Sequence, residues 1–197
     1  MYIMGKLTDV NLNKEGISTV MSNVAGKVPP IFQQLEYVRF SGDATGYLHD
    51  LIITGLLRTG VGTIKADVMM SIDKQQNRTY SGNIASADLN VGKLLDNEKK
   101  FGTADFNLEL KGFNYKNHYP ESYIKGNIAS FEYSQYKYEN IALDGVYKDG
   151  GFNGKLAMDD DNGSVQINGN FNVACAIPEF NLKAVLKNLR PDNLHLS

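Results

Sequence analysis

Ile141-Ala142-Leu143-Asp144-Gly145-Val146-Tyr147-Lys148-Asp149-Gly150-Gly151-Phe152-Asn153-Gly154-Lys155-Leu156-Ala157-Met158 is two alternating runs about one turn. Asp149-Gly150 is a strong hairpin signal, because both central residues of the tight turn that suits twisted strands need positive φ. Taken as a two-residue turn, it sets Tyr147 opposite Phe152, Gly145 opposite Gly154, Leu143 opposite Leu156 and Ile141 opposite Met158. All these residues then share one face, so period and turn chemistry agree. The alternation recurs over 62–72, 80–84, 104–111, 124–128, 165–173 and 180–186. Short Asp, Asn and Gly connections separate the runs, whereas a parallel crossover needs about a dozen residues. The expected fold is all-β: an elongated, strongly curved antiparallel meander with one or two short helices. No linker or composition shift divides residues 1–197, which read as a single repetitive β domain.

A second turn at Ser134-Gln135 sets Tyr133 opposite Tyr136, Glu132 opposite Lys137 and Phe131 opposite Tyr138. Continuous alternation puts these aromatics on the face away from Ile124, Ile128, Ile141 and Leu143, as an outward cross-strand ladder. Helical spacing is confined to Ile17, Val20, Met21 and Val24, with Gly26 placed to stop the helix, and to a shorter stretch, Leu89 to Leu95. Pro29-Pro30 breaks the chain before a strand at Tyr37 to Phe40. Two phrases return: Gly82-Asn83-Ile84-Ala85-Ser86 as Gly126-Asn127-Ile128-Ala129-Ser130, and Phe106-Asn107-Leu108 as Phe180-Asn181-Leu182.

Glycine repeatedly occupies the apolar face in mid-run, at Gly82, Gly126, Gly145, Gly154 and Gly169. A mid-strand glycine weakens a strand and marks a bend, a bulge or a close approach. A column of them is expected to be the crease of a folded sheet.

Composition narrows the function. Twenty basic and 22 acidic side chains give a net charge of −2, which offers no support for binding nucleic acid or an anionic membrane surface. The longest uncharged apolar run, Leu51 to Leu57, is seven residues, against the ~20 of a spanning helix. One cysteine, Cys175, excludes an internal disulfide and a thiolate cluster. His49, His118 and His195 have no paired-ligand spacing. Asp159-Asp160-Asp161-Asn162-Gly163 starts like a calcium loop but has Asn170 where a bidentate Glu belongs, so it reads as a turn. No phosphate loop, nucleophile elbow or dinucleotide fingerprint occurs. No catalytic constellation, metal site or cofactor is expected, and the chain reads as a non-enzyme.

From Tyr80 onward the chain resembles the repetitive β segments of the AsmA-like superfamily, in particular its TamB-type members. The likeness lies in Ser81-Gly82-Asn83-Ile84 leading to Ala87-Asp88-Leu89-Asn90-Val91-Gly92-Lys93-Leu94-Leu95, and in Gly126-Asn127-Ile128 through Tyr138-Glu139-Asn140-Ile141-Ala142-Leu143-Asp144-Gly145. It continues in Phe152-Asn153-Gly154-Lys155-Leu156 and Pro178-Glu179-Phe180-Asn181-Leu182. The resemblance implies a section of a longer periplasmic protein, tethered to the inner membrane by a helix outside these residues. It further implies a β-taco whose apolar groove carries phospholipid or another acyl-chain lipid, or assists outer-membrane assembly with a barrel partner. The expected groove residues are Ile124, Ile128, Ile141, Leu143, Leu156, Met158, Ile167 and Phe171, with the five glycines as the crease. A closed β-sandwich that recognises glycan or protein through its outward tyrosines, and a lipocalin-like carrier, are the alternatives. Edge-to-edge self-association is expected of such a segment if it is isolated, because its terminal strands offer unpaired backbone.

Overall fold

The computed structural model describes residues 2–25, 30–47, 49–114, 121–172, 178–190 and 192–193. Cys175, His118, His195 and Gly26 lie outside them. Eleven strands form one antiparallel sheet in which every strand pairs with its sequence neighbours. They are β1 (Tyr2–Asn13), β2 (Tyr37–Tyr47), β3 (Asp50–Thr59), β4 (Gly62–Ile72), β5 (Arg78–Asn90), β6 (Phe101–Asn114), β7 (Glu121–Tyr133), β8 (Tyr136–Lys148), β9 (Gly151–Asp160), β10 (Gly163–Asn172) and β11 (Glu179–Lys187). Between β1 and β2 run helix α1 (Lys14–Ala25) and a 3₁₀ turn, Pro30–Leu35; helix α2 (Val91–Leu94) joins β5 to β6. Alternation and short turns lead to this antiparallel meander; the structure shows it open, its first and last strands unpaired with each other, and ten interstrand steps of ~4.8 Å give it a length of roughly 48 Å. Its accessible surface, 12768 Å², exceeds the roughly 9,300 Å² of a compact globule of this mass.

The two hairpins anchoring the sequence reading have the expected registers. Tyr147 faces Phe152, Gly145 faces Gly154, Leu143 faces Leu156 and Ile141 faces Met158, with φ of 53° at Asp149 and 76° at Gly150. Tyr133 faces Tyr136 and Phe131 faces Tyr138, across a turn in which Ser134 and Gln135 take φ of 49° and 65°. The Asp159–Gly163 stretch makes a turn, as read, with Asp161-Asn162 at its tip and Gly163 already paired with Asp160; the Asn162 N–H donates to Asp160 Oδ1 at 2.9 Å.

The aromatic ladder lies on the other face from the one expected. Phe131 pairs with Ala104, and Ala104 with Leu89; both are 5% exposed, and Leu89 belongs to the apolar core. Tyr138 faces Phe131 and therefore points inward too. Alternation fails because Asn140 takes φ 53°, so two residues instead of one or three lie between inward Tyr138 and inward Ile141. Such an irregularity re-aims side chains beyond it. Asp88, at φ 61°, does the same in β5, where the register slips between Ser86 and Leu89. The Asp88 N–H donates to Asp105 Oδ1 at 2.6 Å, and the Ser130 hydroxyl donates to Asp105 Oδ2 at 3.0 Å, tying β5, β6 and β7 together at this bend.

The core sits at one end. Ile17, Leu35, Val38, Val61 and Leu89 form it, with Leu12, Met21, Leu57, Ile64 and Phe106 packed against them. α1 begins where the Asn13 side chain accepts the Gly16 N–H at 2.9 Å. It turns Ile17, 4% exposed, onto the inner face of the first strands.

Candidate functional site

Directly paired residues share a face, so the registers assemble the inner surface row by row. One row runs Val68, Gly82, Leu110, Ile124, Gly145, Gly154, Gly169, Leu182 across β4 to β11. Its neighbour runs Gly42, Gly55, Ala66, Ile84, Leu108, Gly126, Leu143, Leu156, Ile167, Ala184 across β2 to β11. The next runs Phe40, Leu57, Ile64, Ser86, Phe106, Ile128, Ile141, Met158, Val165, Leu186. On the far side of the glycines, Phe152, Phe171 and Phe180 face one another in turn. All eight expected groove residues therefore lie on one surface, brought together from β7 to β10. Ile141 and Met158 are 8% exposed, Phe171 is 36% exposed and the others are half-buried.

Four crease glycines, Gly82, Gly145, Gly154 and Gly169, occupy one row, and Gly126 lies in the next. Gly42 and Gly55, facing each other in β2 and β3, extend the second row and were not read from sequence. At Gly126 (φ 148°) and Gly169 (φ 150°) the backbone takes a conformation open to glycine, and a Cβ would overlap the carbonyl oxygens of Asn107 and Asn181. These oxygens belong to the repeated Phe106-Asn107-Leu108 and Phe180-Asn181-Leu182 phrases, so the repeat is the seat of a glycine on the adjoining strand. Rings fill the space above: Phe40 lies against Gly42 and Gly55, Phe152 against Gly145 and Gly154. A side chain at Gly145 or Gly154 would meet main chain and not an open groove. A Cβ at Gly145 would lie 2.6 Å from Asn153 O, and one at Gly154 2.5 Å from Gly145 Cα, so both collide with the next strand.

The surface is covered unequally. Over its first strands α1, the 3₁₀ turn and α2 supply Ile17, Leu35 and Leu94 to the apolar rows. Over β7 to β11 no helix lies among the described residues. At the end of these strands beside the β8–β9 turn, an open cleft of about 630 Å³ takes lining from both faces, Phe152, Phe171 and Phe180 together with the polar Glu121, Lys148 and Asn170. The outer face is polar, with Lys125 3.7 Å from Asp144 and Lys148 3.1 Å from Glu121.

Titratable groups do structural work. The Asp88 N–H, and then the Ser130 hydroxyl, hold the Asp105 carboxyl below the usual carboxylate range. Burial raises Tyr138 and Tyr136; the Tyr136 hydroxyl donates to Asp160 and accepts from Asn162 Nδ2. Tyr123 is raised by the hydrogen bond it donates to Asp144 at 2.9 Å. His49 stacks on Tyr47 with ring centroids 5.5 Å apart. Among the described residues no three His, Cys, Asp or Glu side chains are grouped to hold a metal ion, and no helix is long and apolar enough to cross a membrane. Compared with known proteins, the chain matches no family model, no curated protein and no solved structure.

Proposed function

We propose that the chain is a non-enzymatic section of a lipid conduit or envelope-assembly protein, with its inner surface holding acyl chains. The observation that carries this reading is the set of three rows that hold only apolar residues and glycine across β7 to β11, where no helix among the described residues covers them. An acyl chain needs a surface that offers area without hydrogen-bonding demands, and Ile124, Ile128, Leu143, Leu156 and Ile167 offer that at half-burial. The ligand class is phospholipid or another acyl-chain lipid, the compartment the periplasm, and the assembly partner an outer-membrane barrel protein, all three following from the resemblance to the AsmA-like superfamily.

Mass spectrometry of organic extracts tests this. Protein purified without detergent from a Gram-negative host is expected to release phospholipid in stoichiometric amount. Extracts without lipid, or lipid retained equally by a variant with Leu143 and Leu156 both replaced by Asn, would overturn it.

A further inference from the structure

The β10–β11 hairpin ends in the same way as the β4–β5 hairpin, about 100 residues earlier. Each opens after a two-residue turn, Gly60-Val61 or Asp161-Asn162, on a glycine of nearly identical conformation: Gly62 at φ 137° and Gly163 at φ 138°. A left-handed Asx residue marks the far end of each returning strand, Asp88 at φ 61° two residues before β5 stops and Asn188 at φ 51° just past β11. A leucine follows and packs on the glycine: a Cβ at Gly62 would lie 3.1 Å from Leu89 Cα, one at Gly163 2.8 Å from Leu189 Cα. The next N–H then crosses back, from Asn90 to Val61 O at 2.7 Å and from Arg190 to Asn162 O at 2.9 Å. The registers correspond as well, Thr63 with Ala87 in one hairpin and Ser164 with Lys187 in the other.

What differs is the far edge. β5 is flanked by β6, with Ser86 facing Phe106, Ile84 facing Leu108, Asn83 facing Glu109, Gly82 facing Leu110 and Tyr80 facing Gly112. The equivalent β11 positions are Leu186, Ala184, Lys183, Leu182 and Phe180, and no strand lies beside them among the described residues. Every residue of β11 is exposed, with Phe180 at 64% and Leu186 at 57%.

We infer that the outer edge of β11 is an acceptor site for one antiparallel strand with the chemistry of β6. Apolar side chains are called for opposite Leu186, Ala184 and Leu182, glycine or another small residue opposite Phe180, and a carboxylate opposite Lys183. The carboxylate continues a pattern already present on the outer face, where Glu109, Lys125, Asp144 and Lys155 face one another in turn with alternating sign. Such strand addition draws affinity from main-chain hydrogen bonds and specificity from the alternate side chains. The site stands apart from the lipid reading and does not depend on it.

The sequence of β6 is itself a fitting probe. A labelled peptide of residues 103–113 is titrated against the full chain, with binding followed by anisotropy and the β11 amides by hydrogen exchange. Binding with slowed exchange along residues 179–187 is expected. Glu109→Lys in the peptide sets two lysines opposite each other and is expected to weaken binding about fivefold, since a cross-strand charge pair is worth a few fold each way. Lys183→Glu in the protein, an exposed change, should weaken the parent peptide and restore the Glu109→Lys peptide. Protection mapping to the β1 edge, a charge exchange with no effect, or a dimer through β11 that the peptide does not displace would each overturn the proposal.

Discussion

At Gly145 and Gly154 the two Cα atoms face each other across β8 and β9, and the Phe152 ring lies against both. A side chain at either has to displace main chain, not solvent. Gly145→Val and Gly154→Val are expected to cost at least the ~1–3 kcal/mol of an overpacked interior, read as a lowered melting temperature. Ala142→Val, outward and exposed, should stay within about ±0.5 kcal/mol. The glycines were legible as a column, because alternation fixes which face a residue takes. Their closeness to the next strand was not, since it depends on backbone torsion that glycine leaves free. Asp105 gives a second residue-level test. Its carboxyl is held low by the Asp88 N–H and the Ser130 hydroxyl, so the folded state gains stability above the unfolded value near 4 and loses it as pH falls. Asp105→Asn should lower stability at neutral pH and flatten the acid limb of a pH–stability curve recorded between about pH 5 and 2.

At the element scale the strands announced themselves where one face is wet. β8 from Ile141 onward and β9 alternate cleanly, and both their register and the turn between them followed from period and Asp-Gly chemistry. β3 did not, because Leu51 to Leu57 is apolar on both faces: Ile52 and Leu56 are exposed on the outside while Leu51, Ile53 and Leu57 turn in. The Tyr133–Tyr138 cluster was placed on the wrong face for a related reason. A left-handed Asn140 leaves no mark in hydropathy, and asparagine is tolerated there without declaring it. β8 also carries the test of whether its apolar row meets ligand. Leu143 is half-buried between Gly126 and Leu156, so a carboxylate there keeps some water. Leu143→Asp is expected to retain the β-sheet circular dichroism spectrum and lose the co-purifying lipid; a variant that keeps its lipid would assign the row to structure alone.

Across the whole molecule, strands contact chiefly their sequence neighbours, and stability in such an array is close to a sum over adjacent pairs. The core of Ile17, Leu35, Val38, Val61 and Leu89 reinforces only the strands near it. The half from β7 to β11 has the sheet's own rows, and β11 has exposure on both faces. That asymmetry was not in the sequence pattern, because alternation is the same whether an apolar face is roofed by a helix or open. Local opening should therefore divide the molecule. Met158→Ala, at an 8% exposed site in β9, removes about 2 kcal/mol or more, which corresponds to amide exchange faster by about 30-fold in β8 to β10 if those strands open separately. β2 to β4 should be unchanged. Ile17→Ala should do the reverse, quickening β1 to β3 and leaving β9 to β11 as they were. Equal acceleration along all eleven strands in both variants would show one cooperative unit, and with it a core that reaches the far end of the sheet.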